Sequence, residues 1–160
     1  MTKQVLIDYF TKNGLIKHQI DSFNNFIKYD IQKVIDDIGQ VSFNKQNDVY
    51  IVEFRKISLT NVYHTETTSQ QFRLLPHESR LRNVSYCSTL FVDVIILKNG
   101  ECLERKKCEL GKIPIMVKSM YCNLYNNIDS RECPYDYGGY FIISGNEKVL
   151  ISQEKMNNNE

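Results

Sequence analysis

The sequence has no tryptophan, only three prolines, no long apolar run and a formal net charge of +1. Each shortage removes a class of protein. The longest apolar stretches, such as residues 90–97, fall far short of the roughly 18 residues that a membrane helix requires, and Asp93 interrupts that one. No membrane partner is expected. Asp8, Lys12 and Lys17 break up the early apolar residues, so the basic, apolar and small-residue regions of a secretory leader are missing. An intracellular chain is expected.

Signs of catalysis are equally scarce. A phosphate loop needs the spacing GxxxxGK[ST], which neither Gly138-Gly139 nor Asn99-Gly100 supplies. The carboxylates form no DxD-like cluster of the kind that holds magnesium, and His18, His64 and His77 have no partner at ligand or triad spacing. Nucleotidyl transfer does not follow from these residues. Five cysteines, at 87, 102, 108, 122 and 133, include no CxxC pair and no histidine at a finger-like distance. They read as reduced thiols serving as small buried apolar residues, with no metal site and no resident cofactor expected.

What is present describes a folded domain. The 160 residues are 42% hydrophobic, with ten tyrosines, eight phenylalanines and a mean hydropathy of -0.39, enough for one soluble domain with a real core. Charge is uneven along it: residues 55–118 carry eleven Lys or Arg against six Asp or Glu. That bias fits a local basic surface or a solvated mixed one.

From Gln4 to Ile38 the apolar residues Val5, Leu6, Tyr9, Phe10, Ile16, Ile20, Phe23, Ile27, Ile31, Val34, Ile35 and Ile38 fall at helical spacing. Two or three helices with a packed apolar face are expected over residues 1–40, the first ending at Asn13-Gly14 and the last capped by Gly39. Residues 46–156 read as mainly β. Val49 to Leu59 is a strand, rich in β-branched and aromatic residues, and residues 60–72 are a polar loop. Asn99-Gly100 between the strand-like runs 86–97 and 102–110 predicts a hairpin with a type I′ turn, because both central residues must tolerate positive φ. Short strands are expected at 113–117 and 140–144, with Gly145-Asn146 turning the chain into a last one at 147–153.

Four stretches are distinctive as words. They are 19–27 (QIDSFNNFI), 75–86 (LPHESRLRNVSY), 110–122 (LGKIPIMVKSMYC) and 137–155 (YGGYFIISGNEKVLISQEK). In this order and at these distances they resemble the protrusion region of the second-largest subunit of multisubunit DNA-directed RNA polymerase, of the eukaryotic, archaeal and large-virus type. The match runs from about residue 15 to 156. Ser79 stands where the family usually has Ala, and Ser144 where Asn precedes the turn glycine; both replacements are small or turn-compatible. The family's subunit continues through lobe, fork, hybrid-binding, wall and clamp regions, none of which is in these 160 residues.

The resemblance implies an α+β fold, with N-terminal helices packed on a mainly antiparallel sheet as part of the protrusion domain, all 160 residues forming its N-terminal portion. It implies a segment of a nucleotidyltransferase that forms a wall of the nucleic-acid cleft, in the nucleus or, for a virus, in the virion or host cytoplasm. The implied partners are the largest subunit, which holds the magnesium, the remaining subunits, the DNA template and the RNA–DNA hybrid. The chain alone is expected to be inactive. A second reading, a detached protrusion-like module that regulates polymerase or binds nucleic acid, stays open.

Three residues are candidates for contact with nucleic acid. Arg80 and Arg82 alternate with Leu81 before a strand, which in extended backbone projects both guanidinium groups to one side, where their planar forks suit phosphate. A salt bridge to Glu78 or another carboxylate would use Arg80 and Arg82 equally well. Lys148 follows the Ser144-Gly145-Asn146 turn, and by resemblance a basic residue here lies near the RNA–DNA hybrid. Taken alone it reads as a solvated surface charge. Alternation on a strand sets it opposite Val149 and Ile151.

Overall fold

The structure, a computed structural model, describes residues 2–45, 48–66, 70–125 and 131–156. Helix α1 spans Thr2–Asn13, α2 Lys17–Asn25 and α3 Ile31–Ile38, with a π-helical turn, Phe26–Asp30, joining the last two. The buried residues of the α2–α3 run are Phe23, Ile27, Ile31 and Ile35, spaced by four. In a regular α-helix such a spacing turns the stripe by about 40° per step. The wider π turn offsets part of that drift and keeps the four side chains on one buried line.

Helix α3 closes at Gly39, with φ 62°, as the sequence predicts. Helix α1 departs from expectation. Its apolar residues Val5, Leu6, Tyr9 and Phe10 are 64, 55, 53 and 42% exposed, so its stripe is not a packed face. Periodicity reports which side of a helix is apolar; it does not supply a surface to cover that side.

The sheet has four antiparallel strands in the order β1 (Gln40–Lys45), β2 (Asp48–Leu59), β5 (Cys87–Lys98), β6 (Glu101–Pro114). Between β2 and β5 lie β3 (Tyr63–Thr65), β4 (Gln71–Arg73) and a short helix α4 (Pro76–Leu81). One face of the sheet presents Val52, Phe54 and Ile57 of β2 beside Val92, Val94 and Ile96 of β5, and Ile35 packs there. The fold is therefore α+β, with helix on antiparallel sheet. The Asn99-Gly100 hairpin is present, with φ 52° and 89° at the two turn residues.

Three expectations are corrected and one strand is added. Residues 60–72 are not all loop, because His64 and Phe72 face each other across the β3–β4 hairpin, edge to face at 5.4 Å. That hairpin is anchored by the buried side chains of Val62 and Leu74 at its two ends. Residues 113–117 do not form a separate strand; β6 runs on to Pro114, and Ile115 to Val117 then leave the sheet for the core. Residues 40–45 add a strand that the polar composition had hidden. The cysteines divide: Cys122 is buried, while Cys102 and Cys133 are exposed.

The main core gathers Phe23, Ile27 and Ile31 with Val62, Leu74, Tyr86, Ile115, Val117 and Ile142. Tyr86 is fully buried, its hydroxyl accepting from the Asn123 backbone N–H at 2.9 Å, and burial pushes its pKa far above the phenolic range. The Asn123 amide donates to the carbonyls of Val62 at 2.9 Å and Leu74 at 2.7 Å, satisfying two buried acceptors at the ends of the β3–β4 hairpin.

Candidate nucleic-acid interface

Strands β7 (Phe141–Ile143) and β8 (Asn146–Lys148) form a hairpin whose turn residues Ser144 and Gly145 have φ 48° and 76°. The turn sits one residue earlier than Gly145-Asn146. It is held against the end of α4: the Ser144 N–H donates to Ser85 Oγ at 2.9 Å and the Gly145 N–H to the Val84 carbonyl at 3.2 Å. A Cβ on Gly145 would lie 2.7 Å from Asn83 Oδ1 and 2.9 Å from Asn83 Cα, so only glycine fits both the turn and the contact.

The hairpin stops at Lys148, and the expected strand 147–153 does not form. Its partner is the reason. Before Phe141 the chain turns aside at Gly138 and Gly139 and bonds instead to Val117, with Gly139 N–H to Val117 O at 3.0 Å and Val117 N–H to Tyr140 O at 2.9 Å. A Cβ on Gly138 would stand 2.5 Å from the Val117 carbonyl. Beyond Lys148 no strand lies alongside among the described residues, and Val149, Leu150 and Ile151 are exposed.

Register places Lys148 opposite Phe141 and Glu147 opposite Ile142. Adjacent residues of a strand face opposite ways. Glu147 thus shares a face with buried Ile142, whereas Lys148 shares one with Phe141, whose ring meets Phe23 edge to face at 5.5 Å. Lys148 is exposed and, among the described residues, has no ion pair. It borders an open groove of about 830 Å³ between α2 and β7, with His18 and Ser22 on the helix side and Phe141 and Ile143 on the strand side.

Arg80 and Arg82 do not project together. Residues 76–81 are helical rather than extended, because Pro76 takes the first helical position and Glu78 Oε2 accepts the Leu75 N–H at 3.4 Å. A proline followed two residues later by a glutamate was the sequence signal for that helix. Arg80 points into a cluster of carboxylates, with Nε on Glu147 at 2.8 Å, Nη1 on Glu132 at 3.3 Å and Nη2 3.8 Å from Asp136. Its Nη2 also donates to the Tyr140 hydroxyl. Arg82 leaves in another direction, pairing with Glu66 at 2.7 Å and lying 4.8 Å above the Phe72 ring. The salt-bridge reading of both arginines is what the geometry shows.

Around Arg80 the two less exposed carboxylates have other donors. Glu132 accepts the His77 N–H at 2.6 Å, and Asp136 accepts Gly138 N–H at 2.8 Å and Tyr140 O–H at 2.5 Å. Burial, followed by the bond to Asp136, pushes the Tyr140 hydroxyl well above its ordinary pKa and keeps it a donor. Sequence reasoning missed Tyr140, Asp136 and Glu132, since nothing in their spacing announces a shared arginine.

In this site ionic side chains tie helix α4 to the β7–β8 hairpin and leave Lys148 outward. Comparisons with known proteins show the family. A family model described as RNA polymerase beta subunit matches residues 14–157. The chain is 36% identical over 181 residues to DNA-directed RNA polymerase II subunit 2 of Arabidopsis thaliana, covering 97% of this chain and 15% of that protein. It is 35% identical to the RNA polymerase II subunit RPB2 of Schizosaccharomyces pombe, over 94% of this chain and 15% of the relative. A probable homologue of the same subunit in Invertebrate iridescent virus 6 is 34% identical over 93% of this chain and 15% of its own length. The chain belongs to the RNA polymerase beta subunit family, as an N-terminal segment of the second-largest subunit. It spans about 15% of the length of these relatives.

Proposed function

We propose that the chain serves DNA-templated transcription as part of the nucleic-acid cleft wall of a DNA-directed RNA polymerase, contributes no catalytic group, and touches backbone phosphate through Lys148. In this reading it assembles with the largest subunit, which carries the catalytic magnesium, and with the remaining subunits around the DNA template and RNA–DNA hybrid. It works in the nucleus or, in a viral setting, in the virion or host cytoplasm.

The observation that supports it is the contrast among three cations. Arg80 and Arg82 are engaged by carboxylates of the chain itself. Lys148 is exposed, unpaired among the described residues, and held at the end of a clamped hairpin. A lysine offers phosphate a point charge and reads no base, so the contact is independent of sequence. Arg80 and Arg82, first candidates for the same contact, are assigned here to supporting the surface that carries Lys148.

The test is Lys148→Ala in the assembled polymerase containing this chain, with elongation-complex stability followed against salt on unrelated templates. Loss of one phosphate contact lowers the log-log salt slope by about 0.9 for duplex or about 0.7 for a single strand. An unchanged slope and lifetime, with assembly intact, would return Lys148 to the solvated surface. Co-purification with the rest of a second-largest subunit supports the cleft-wall role, and its absence favours a detached regulator.

A further inference from the structure

We infer that Arg80 is a positioning residue for Lys148, acting by holding the Glu147 carboxylate on the far side of the β7–β8 hairpin so that the lysine's charge reaches phosphate uncancelled. The inference rests on the proposed phosphate contact of Lys148.

Glu147 and Lys148 are neighbours, with Cα atoms about 3.8 Å apart. The pleat starts the two side chains on opposite faces, but both are long and flexible, and from adjacent residues their charges reach within the screening length of about 8 Å at physiological salt. An unrestrained glutamate there would pair with the lysine or repel an approaching phosphate. The Glu147 side chain is 56% exposed, so burial alone does not hold it. Arg80, at 25% exposure, does hold it, through the Nε bond of 2.8 Å.

The division of labour around the guanidinium makes this specific. Asp136 is satisfied by Gly138 N–H and the Tyr140 hydroxyl, and Glu132 by His77 N–H, so both carry neutral donors besides the arginine. Glu147 has Arg80 as its one ion-pair partner among the described residues. The shortest of the three ion pairs is also the one that reaches β8. The Arg80 carbonyl in addition lies where a Cβ on Gly145 would come within 3.2 Å, so the same residue borders both the turn and the strand of the hairpin.

The experiment measures the salt slope for an RNA–DNA hybrid scaffold of arbitrary sequence bound to the assembled polymerase. Arg80→Met should lower the slope toward the Lys148→Ala value, and Arg80→Met with Glu147→Gln should bring it back near wild type. Arg80→Met with Lys148→Ala should fall no lower than Lys148→Ala alone. A merely structural arginine would not be rescued by Glu147→Gln, so persistence of the defect in that double variant overturns the inference, as does a wild-type slope in Arg80→Met. If Lys148→Ala itself keeps the wild-type slope, the phosphate contact falls, and this inference with it. Arg80→Met also removes charge from beside Glu132 and Asp136, which can prevent assembly. Arg80→Lys keeps the charge: a wild-type slope supports the inference, and a slope at the Lys148→Ala value overturns it.

Discussion

The side-chain amide of Gln32 on α3 spans the bulge in β2, donating from Nε2 to the Arg55 carbonyl at 3.2 Å and accepting the Ile57 N–H at Oε1 at 2.9 Å. Between Phe54 and Ile57, two residues of β2 oppose Asp93 alone on β5, so the ladder is interrupted there. Gln32 supplies the missing donor and acceptor and pins the helix to the sheet. Gln32→Ala should destabilise the chain by about 0.5–1.5 kcal/mol, the net range for a typical hydrogen bond, since the bond to Arg55 is exposed and the one from Ile57 half-buried. Chemical denaturation with an unchanged m-value checks it, and a loss below half a kilocalorie would mean that water replaces the amide.

The Asn99-Gly100 turn sets the register of the longest hairpin, and Gly100 has φ 89° with open space where a Cβ would go. Gly100→Ala meets no neighbour and pays only the left-handed backbone penalty, about 1–2 kcal/mol. Gly145→Ala adds collision with Asn83 to the same penalty and should be clearly worse. Equal melting temperatures for the two variants would show that the Gly145 contact is soft.

Asp48 carries a pH signature. Its carboxyl pKa is lowered, first by the hydrogen bond from Lys98 and then by the one from Asn99. A carboxylate whose folded pKa lies below its unfolded value contributes stability above the unfolded pKa and loses it as pH falls through the folded one. Carboxyl NMR should find Asp48 titrating below an ordinary aspartate, and Lys98→Met should move it up. No movement in that variant would put the shift elsewhere.

Helix α1 exposes Val5, Leu6, Ile7, Tyr9 and Phe10. Replacing Val5 and Phe10 by serine should leave stability within about 0.5 kcal/mol per site, as for other surface substitutions. It should also reduce self-association, seen by sedimentation, because a contiguous apolar patch is removed from solvent. A fall of several degrees in melting temperature would show that α1 packs on the domain in solution.

Local rules made much of this protein legible. Helical spacing located residues 4–38, Gly39 its end, and Asn99-Gly100 the hairpin, because periodicity and turn chemistry are properties of adjacent residues. The four sequence words led to the family that the comparisons show. Helix α4 is signalled by Pro76 and Glu78, a local signal that outweighs the alternation of Arg80, Leu81 and Arg82.

The tertiary structure decided the rest. Whether the apolar side of α1 is covered depends on a surface far along the chain. Where β8 stops depends on Gly139 and Tyr140 bonding to Val117 and leaving Val149 without a partner strand among the described residues. The fate of three similar cations was settled by distant partners: Glu132 and Glu147 take Arg80, Glu66 takes Arg82, and no described carboxylate pairs with Lys148. Spacing along one segment cannot encode such pairings, since Arg80 and Glu147 stand 67 residues apart and only the packing of α4 against the β7–β8 turn brings them to 2.8 Å.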